Sequence, residues 1–350
     1  MKEIIPEIRV EGKVVPYTRG AYTSTGGLTA ATLEFTIPST YGGWKKLWNK
    51  EITFFVNKDD NKPIFRGYVK RLKEDFNDVT LYAQDVIGYM VLGGDSEKAK
   101  ISLTEDINLD GLTIGNAISK AIKLAKLDSK IKTDYIGDTV PLFSSSQPPL
   151  RGVMGIKEII NELMSRAVDN SGAVPRSNIV KVVDDGTISQ LVIELEEDLD
   201  DAEVKYVFTE YSNINDIRII NKKIPTIVLV NGSGGVTGTF THDSAIEALD
   251  RNYFEVTNEN LKSPAECRDF AQKIFRANLG TQYEYSISTA SGCYLAENDI
   301  IRVETDDPRF SGNYRVRGKK ISFSKSSFSL GLNINKKPPT LTEFIARQDN

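Results

Sequence analysis

Along ATLEFTI, residues 31–37, apolar and polar positions alternate without a break, so Leu33, Phe35 and Ile37 fall on one side of an extended chain. The two-residue period recurs through the N-terminal part of the sequence. EIRVEGKVV, residues 7–15, alternates around an internal glycine, which predicts a hairpin. Residues 52–56, 64–72 and 79–83 add further strands, and five or six short strands with polar turns fit a small sandwich or barrel. Between two of them, YGGWKKLWNK places Trp44, Leu47 and Trp48 on one face of a single helical turn. That face predicts either a plug at one end of the β body or a contact with another subunit.

Beyond Leu92 the period changes. Ile114, Ala117, Ile118, Ala121, Ile122 and Ala125 recur at helical spacing, and so do Ile156, Ile159, Ile160, Leu163 and Met164, with Asn170 and Gly172 as stop signals. The stretch 128–152 between them is a loop rich in Ser and Pro, of a length usually tied to function or to poor order. Residues 179–183 and 191–195 flank a turn at Asp185-Gly186. The last third returns to strands at 217–220, 224–230 and 253–256. It contains one strongly signalled helix: Ser263 as N-cap, Pro264 in the first turn, Glu266 three after the cap, Gly280 past the end. Its apolar face is Cys267, Phe270, Ala271, Ile274 and Phe275, expected to pack on the second β body. YEYSIST, NDIIRV, NYRVRGKKISF and SFSLGLNI follow as strands. The expected division is a first β-barrel at 1–93, a mixed helix–strand domain at 94–215, a second β-barrel with one helix at 216–340, and a tail at 341–350. The fold class is mainly β with an α+β insertion.

Two distant stretches share one grammar. EITFFVNKDDNKPIFRGYVKRLKEDFNDVTLYAQD begins at Glu51, and NDIIRVETDDPRFSGNYRVRGKKISFSKSSFSLGLNI begins at Asn298. Each opens with an apolar strand, turns through two adjacent aspartates, and re-enters at Phe-x-Gly: Phe65-Arg66-Gly67 and Phe310-Ser311-Gly312. The glycines leave room for a bend where a ribbon curls, and both phenylalanines are expected to face inward.

Composition narrows the function classes. At 350 residues the chain holds two to three domains. Hydrophobic residues at 40%, charged residues at 26% and a net charge of −4 are ordinary for a soluble protein and lack the basic footprint of a general nucleic-acid binder. Lys70, Arg71 and Lys73 read as the solvated side of a strand. MKEIIPEIRV carries charges and a proline where a signal peptide needs an apolar core, and IPTIVLV is far short of a membrane span; these point to a soluble chain made in the cytoplasm, with no membrane anchor. Cys267 and Cys293 form neither a disulfide framework nor a zinc site and read as buried inert thiols.

Candidate chemistry fails on physical grounds. NGSGGVTG, from Asn231, follows an apolar strand as a phosphate loop does, but it lacks the Gly-Lys-Ser/Thr ending and runs into TFTHDS, which has no helical period to supply aligned N–H groups. A hairpin loop is the better reading. His242 is the one histidine, and there is no Gly-x-Ser-x-Gly elbow for it to serve. The acidic run LEEDLDDAE, residues 195–203, lacks the calcium-loop pattern and reads as a solvated face. The expectation is no catalytic centre, no cofactor and no metal.

Two β modules around a small helix–strand domain, without an active-site pattern, resemble the central hub protein of contractile phage-tail baseplates and tailocins. The resemblance rests on the FRGYV and VTLYAQDVIGYM stretches of the first module and, more fully, on SPAECRDFAQKIFRANLG, YEYSIST, LAENDIIRVE and GNYRVRGKKISFSKSSFSLGLNI. Glu297-Asn298 stand where the family usually has Pro-Gly before the aspartate. The resemblance implies tube-like barrels and a homotrimer, in which three chains with two barrels each match a hexameric tail tube to a threefold spike around a central channel. It also implies as partners the tail tube protein, the central spike, the tape measure protein and baseplate wedge components. DNA would be transiting cargo only, and the location a virion tail baseplate. Trp44 and Trp48 are the candidate subunit-interface residues.

Two other readings compete. A tail-associated cell-wall hydrolase or carbohydrate-binding β protein needs an acid pair or a metal at a concave site. A secretion-system spike subunit uses related two-barrel hubs and normally continues into a β-helical needle, which this sequence does not contain.

Overall fold

The computed structural model describes residues 4–26, 29–88, 100–109, 111–124, 127–128, 131–133, 150–155, 158–160, 162–163, 178–195, 199, 202–221, 225–249, 251–259, 261–279, 283–289, 291–308 and 310–335. The protein is mainly β with a few short helices. It divides into two compact units. One comprises residues 1–202, 288–299 and 316–332; the other comprises 203–287, 300–315 and 333–350.

The first unit begins with the predicted hairpin. Glu7–Val10 pairs with Lys13–Val14 across Glu11 and Gly12, whose φ angles of 51° and 76° make the two-residue turn that matches strand twist. Glu7–Val10 also pairs with Glu51–Phe55, which pairs with Phe65–Glu74, which pairs with Asp78–Asp85. Asp78–Asp85 continues to Thr32–Pro38, and that strand to Arg19–Ser24. The alternation seen in the sequence becomes burial: Ile8, Leu33, Phe35, Ile37, Ile52, Phe54, Val69 and Leu81 are fully buried. Arg19–Ser24 was not signalled as a strand. Its outer neighbour is the distant stretch Lys319–Ser324, antiparallel, with Gly20 opposite Phe323 and Tyr22 opposite Ile321. The C-terminal ribbon thus contributes its middle, residues 316–332, to this unit.

The same unit carries a helix–strand core. Helix Ile114–Leu124 buries Ile114, Ala117, Ile118, Ala121 and Ile122 against Ile159, Ile160, Leu163 and Leu191. Lys100–Ile107 pairs with Leu150–Gly155, and Asn178–Asp184 with Ser189–Leu195. Most of the Ser/Pro loop, the end of the second expected helix and most of the acidic run lie outside the described residues.

In the second unit, Val204–Thr209 runs parallel to Ile300–Glu304, which pairs antiparallel with the start of Gly312–Ser324. A separate three-stranded sheet joins Ile227–Asn231, Thr237–Thr241 and Tyr253–Thr257. Helix Pro264–Leu279 packs on this small sheet, with Cys267, Ala271 and Phe275 buried against Val228 and Val230. Phe270 and Ile274, expected at the centre of the buried face, are only partly buried. The predicted capping box is complete: Ser263 Oγ accepts from Glu266 N at 3.2 Å, and Glu266 Oε2 accepts from Ser263 N at 3.0 Å. Ser263→Ala should cost about 1 kcal/mol, the usual worth of an N-cap, read as a lowered denaturation midpoint with an unchanged slope.

NGSGG forms a hairpin connection, a short 3-10 turn at Ser233–Gly235 between antiparallel strands. TFTHDS, read as lacking helical period, instead runs from the strand directly into helix Asp243–Leu249. His242 Nδ1 accepts from Ala245 N at the start of that helix, and its ring stacks on Phe275 at 5.3 Å. These contacts give the lone histidine a packing role.

The echoed grammar is present as strand pairing. Glu51–Phe55, Phe65–Glu74 and Asp78–Asp85 form an antiparallel meander, and Ile300–Glu304, Gly312–Ser324 and Phe328–Asn335 form a second one in the same order. The Phe-x-Gly residues are not equivalent, however. Phe65 is buried within its strand, while Phe310 sits half-buried on the turn and accepts the Tyr314 hydroxyl on its carbonyl.

Candidate functional site

A cavity in which ionisable groups converge lies within the first unit. It measures about 50 Å³, room for a few water molecules. Tyr22, Phe65, Arg66, Asp85, Asp184 and Glu297 are among its walls.

Each wall residue has a local reason to be there. Asp85 ends its strand, and its carboxylate accepts from Ile87 N at 3.0 Å and Gly88 N at 3.2 Å, capping the turn that follows; it also accepts from Ala31 N at 3.1 Å. Burial raises its pKa to about 6 against those three bonds, which favour the charged form. Glu297 accepts from the Ser24 hydroxyl and the Gly26 amide. Burial lifts its pKa to about 7; the nearby Asp85 charge adds to the rise, while Gly26, Lys319 and Lys181 oppose it. Lys319, 7% exposed, donates to the carbonyls of Cys293 at 3.2 Å and Leu295 at 2.7 Å. Its pKa is lowered to about 8 by burial, which neighbouring anions only partly offset.

On another wall, Arg66 reaches from the first β body to the tip of the 178–195 hairpin. Its Nε donates to Asp184 Oδ2 at 2.5 Å, Nη1 to Glu51 Oε1 at 2.5 Å and Nη2 to the Gly186 carbonyl at 2.9 Å. The Asp184 side chain is 6% exposed and the Arg66 side chain 12%. Burial by itself lowers the Arg66 pKa, but the bonds and charges of Asp184 and Glu51 outweigh it, so the net direction is upward. The predicted Asp185-Gly186 turn thus serves as the docking tip, with Gly186 at φ 102°.

An acid-pair hydrolase needs one carboxyl with a raised pKa beside a second that stays ionised, whereas Asp85 and Glu297 are both raised. Here both are already bonded to backbone amides or a hydroxyl, and the space between them and the Arg66 clamp is too small for a sugar ring. The cavity is an internal junction between the β body, the hairpin and residues 291–299. Sequence reading found none of Arg66, Asp184, Glu297 or Lys319 as partners; the one signal was the Glu297-Asn298 departure from Pro-Gly. Asn298 takes the left-handed conformation the glycine would supply, φ 73°, and Glu297 enters the cavity.

Trp44–Leu47 is a single 3-10 turn entered through Gly43 at φ 92°, and it buries none of its residues. Trp48 is 56% exposed, Trp44 is half-buried under the Lys45 ammonium at 5.2 Å, and Phe76 is fully open to solvent. Cys267 and Cys293 are free and buried, as expected. No group of three or more His, Cys, Asp or Glu side chains suited to a metal is found among the described residues. No described helix is long and apolar enough to cross a membrane.

No family model and no curated protein matches the chain. Solved structures do. A tail protein from Neisseria meningitidis MC58 aligns over 95% of this chain and 96% of its own length, at 12% identity and TM-score 0.64. The 43 kDa tail protein of prophage MuSo2 from Shewanella oneidensis aligns over 95% and 98%, at 12% identity and TM-score 0.65. An E. coli component of the type VI secretion system, described as similar in structure to bacteriophage T4 tail proteins, aligns over 96% and 77%, at 11% identity and TM-score 0.54. At such identities the likeness is one of fold, and it spans nearly the whole chain: this protein has the fold of phage tail proteins.

Proposed function

We propose that this protein is the structural hub of a contractile tail baseplate, in a phage or a tailocin. It assembles as a homotrimer that adapts a hexameric tail tube to a threefold spike and lines the central channel. The observation that carries the reading is the repeated three-strand meander within a fold shared end to end with tail proteins. A single-barrel tube subunit needs one such ribbon; an adaptor of lower symmetry needs two per chain. Each module then binds its unlike neighbour, and heterologous contacts of that kind close into rings. The fully bonded junction cavity supports a structural role over the hydrolase reading. Its partners are the tail tube protein, the spike, the tape measure protein and wedge components, with DNA as passing cargo.

Trp44 and Trp48 belong to the ring contact in this reading, since aromatic residues left open on a chain's surface are typical interface anchors. A Trp44→Ala, Trp48→Ala double variant should keep the unfolding midpoint of the parent and lose incorporation when reconstituted with tail components, scored by electron microscopy. Full incorporation of the variant would remove these residues from the interface. A particle holding this chain at its periphery, or in a copy number not divisible by three, would reject the hub itself. The likeness to a secretion-system component favours one second reading, the corresponding hub of a secretion apparatus. Co-purification with secretion-apparatus rather than phage-tail components would select it.

A further inference from the structure

Residues 291–299 cross the first unit without regular secondary structure, and polar contacts fasten them. Lys319 holds the Cys293 and Leu295 carbonyls. The Tyr294 hydroxyl donates to both oxygens of Asp60, at 3.0 and 3.1 Å. Asp299 Oδ2 accepts from Ala296 N at 2.7 Å, and Asn298 N and Val316 N complete two backbone bonds with Val316 O and Asp299 O. Glu297 is the inward anchor, held by the Ser24 hydroxyl and the Gly26 amide at the cavity wall. The Cys293 and Leu295 side chains are buried beside these contacts. Glu297 brings a third carboxyl into the cavity that already contains Asp85 and the Arg66-paired Asp184.

The charged and titratable groups around Glu297 come from every neighbouring element. Tyr22 belongs to Arg19–Ser24, Asp85 to Asp78–Asp85, Lys181 and Asp184 to Asn178–Asp184, Arg66 to Phe65–Glu74, Lys319 to the C-terminal ribbon, and Cys293 and Asp299 to the segment itself. Arg66 is engaged by Asp184 and Glu51, and Lys319 by two carbonyls. Neither cation makes an ion pair with Glu297 among the described residues. When Glu297 ionises, a further negative charge therefore arises beside Asp85 in a cavity with room for only a few water molecules, with Lys319 and Lys181 as partial compensation.

We propose that residues 291–299 are a proton-operated strap: protonated Glu297 holds the segment against the β body, and ionisation of Glu297 beside Asp85 releases it while the strands beneath stay paired. The strap leads directly into Ile300–Glu304, so its release frees the chain at the entry to that strand. The inference does not depend on the hub reading.

The sign follows from linkage. Asp85 and Glu297 have pKa values raised in the folded protein, to about 6 and about 7. Their contribution is fully present below the ordinary carboxylate range and is lost as pH rises through those values. Lys319, lowered to about 8, acts oppositely and higher: its contribution is complete only above the ordinary lysine range and is lost as pH falls toward 8. The strap is therefore tightest in mild acid and loosens across neutrality.

The test is amide hydrogen exchange of the full-length protein between pH 6 and pH 8.5, corrected for intrinsic exchange chemistry. In the parent, protection of residues 291–299 should fall about tenfold or more, the change expected when a group shifted by a unit or more is titrated, while Glu51–Phe55 stays constant. In Glu297→Gln, which remains neutral, the fall should shrink to about twofold or less. Repeating the parent series at 1 M salt keeps the test decisive should the variant not fold: a buried charge keeps its effect, whereas surface titrations are screened. A parent strap with constant protection, a pH effect that survives Glu297→Gln or vanishes at 1 M salt, or equal loosening of the strap and Glu51–Phe55 would each overturn the proposal.

Discussion

Arg66→Ala should lower the stability of the first unit by about 3 kcal/mol, the low end of the cost of removing one partner from a buried ion pair. Two facts set the size. The variant leaves the Asp184 carboxylate, 6% exposed, with the Gly186 amide as its remaining partner and no cation. It also frees the Gly186 carbonyl and breaks the link to Glu51. Glu51 stays 39% exposed and recovers water, which keeps the loss from the top of the range. The expected observation is a denaturant midpoint lowered by that amount. The double variant Arg66→Ala, Asp184→Ala separates an orphaned charge from lost packing: with the carboxylate gone, a kilocalorie or more should return. A double variant as unstable as the sum of the two singles would show that the residues act independently and that the clamp has been misread.

The same residue shows where the sequence was legible and where it was not. Local signals translated well. The Ser263–Glu266 box, the Glu11-Gly12 turn and the Asp185-Gly186 turn are decided within a few residues, and all three are present. Alternation predicted the strands around Leu33, Phe65 and Leu81 because each has one buried face. Pairing between distant segments left no such mark. Nothing local in FRG marks Arg66 as a clamp, and only the folded hairpin tip makes it one. Lys319 and Glu297 likewise find their partners only through distant segments. Arg19–Ser24 was missed because RGAYTS has a glycine where a strand normally places a side chain, and the group that fills the gap comes from Phe323. Helix Asp243–Leu249 was missed because one short turn-rich segment carries too few residues to show a helical period. The Phe-x-Gly echo was legible as a pattern but overextended: the meanders correspond, while the two phenylalanines do different work.

Phe323→Ala should be the most damaging single truncation in the C-terminal ribbon, at about 3–5 kcal/mol, the usual range for removing a buried phenylalanine. The Phe323 ring is 2% exposed, stacks on Phe54 at 4.6 Å with 16° between planes, and meets Tyr17 edge-on at 5.2 Å. It also lies over Gly20, where an added Cβ would sit 2.4 Å from its Cζ. Aromatic cover of a cross-strand glycine is a known way to pin a strand that the glycine would otherwise weaken. Truncation therefore opens a cavity between Phe54 and Tyr17 and uncovers the backbone of Arg19–Ser24 together. Phe76→Ala, at a side chain 97% exposed, is the matched control and should stay within about 0.5 kcal/mol of the parent. The pairing itself is tested by adding Gly20→Ala. Alone, that change forces a clash with the ring and should destabilise by about 1–3 kcal/mol. In the Phe323→Ala background the clash with the ring is gone, the new methyl enters the vacated space and only its 3.0 Å approach to the Glu34 carbonyl remains, so the destabilisation should shrink to a fraction of its value alone. Additive losses would mean that the C-terminal ribbon does not pair with Arg19–Ser24 in this register, and that the first β body closes without the distant end of the chain.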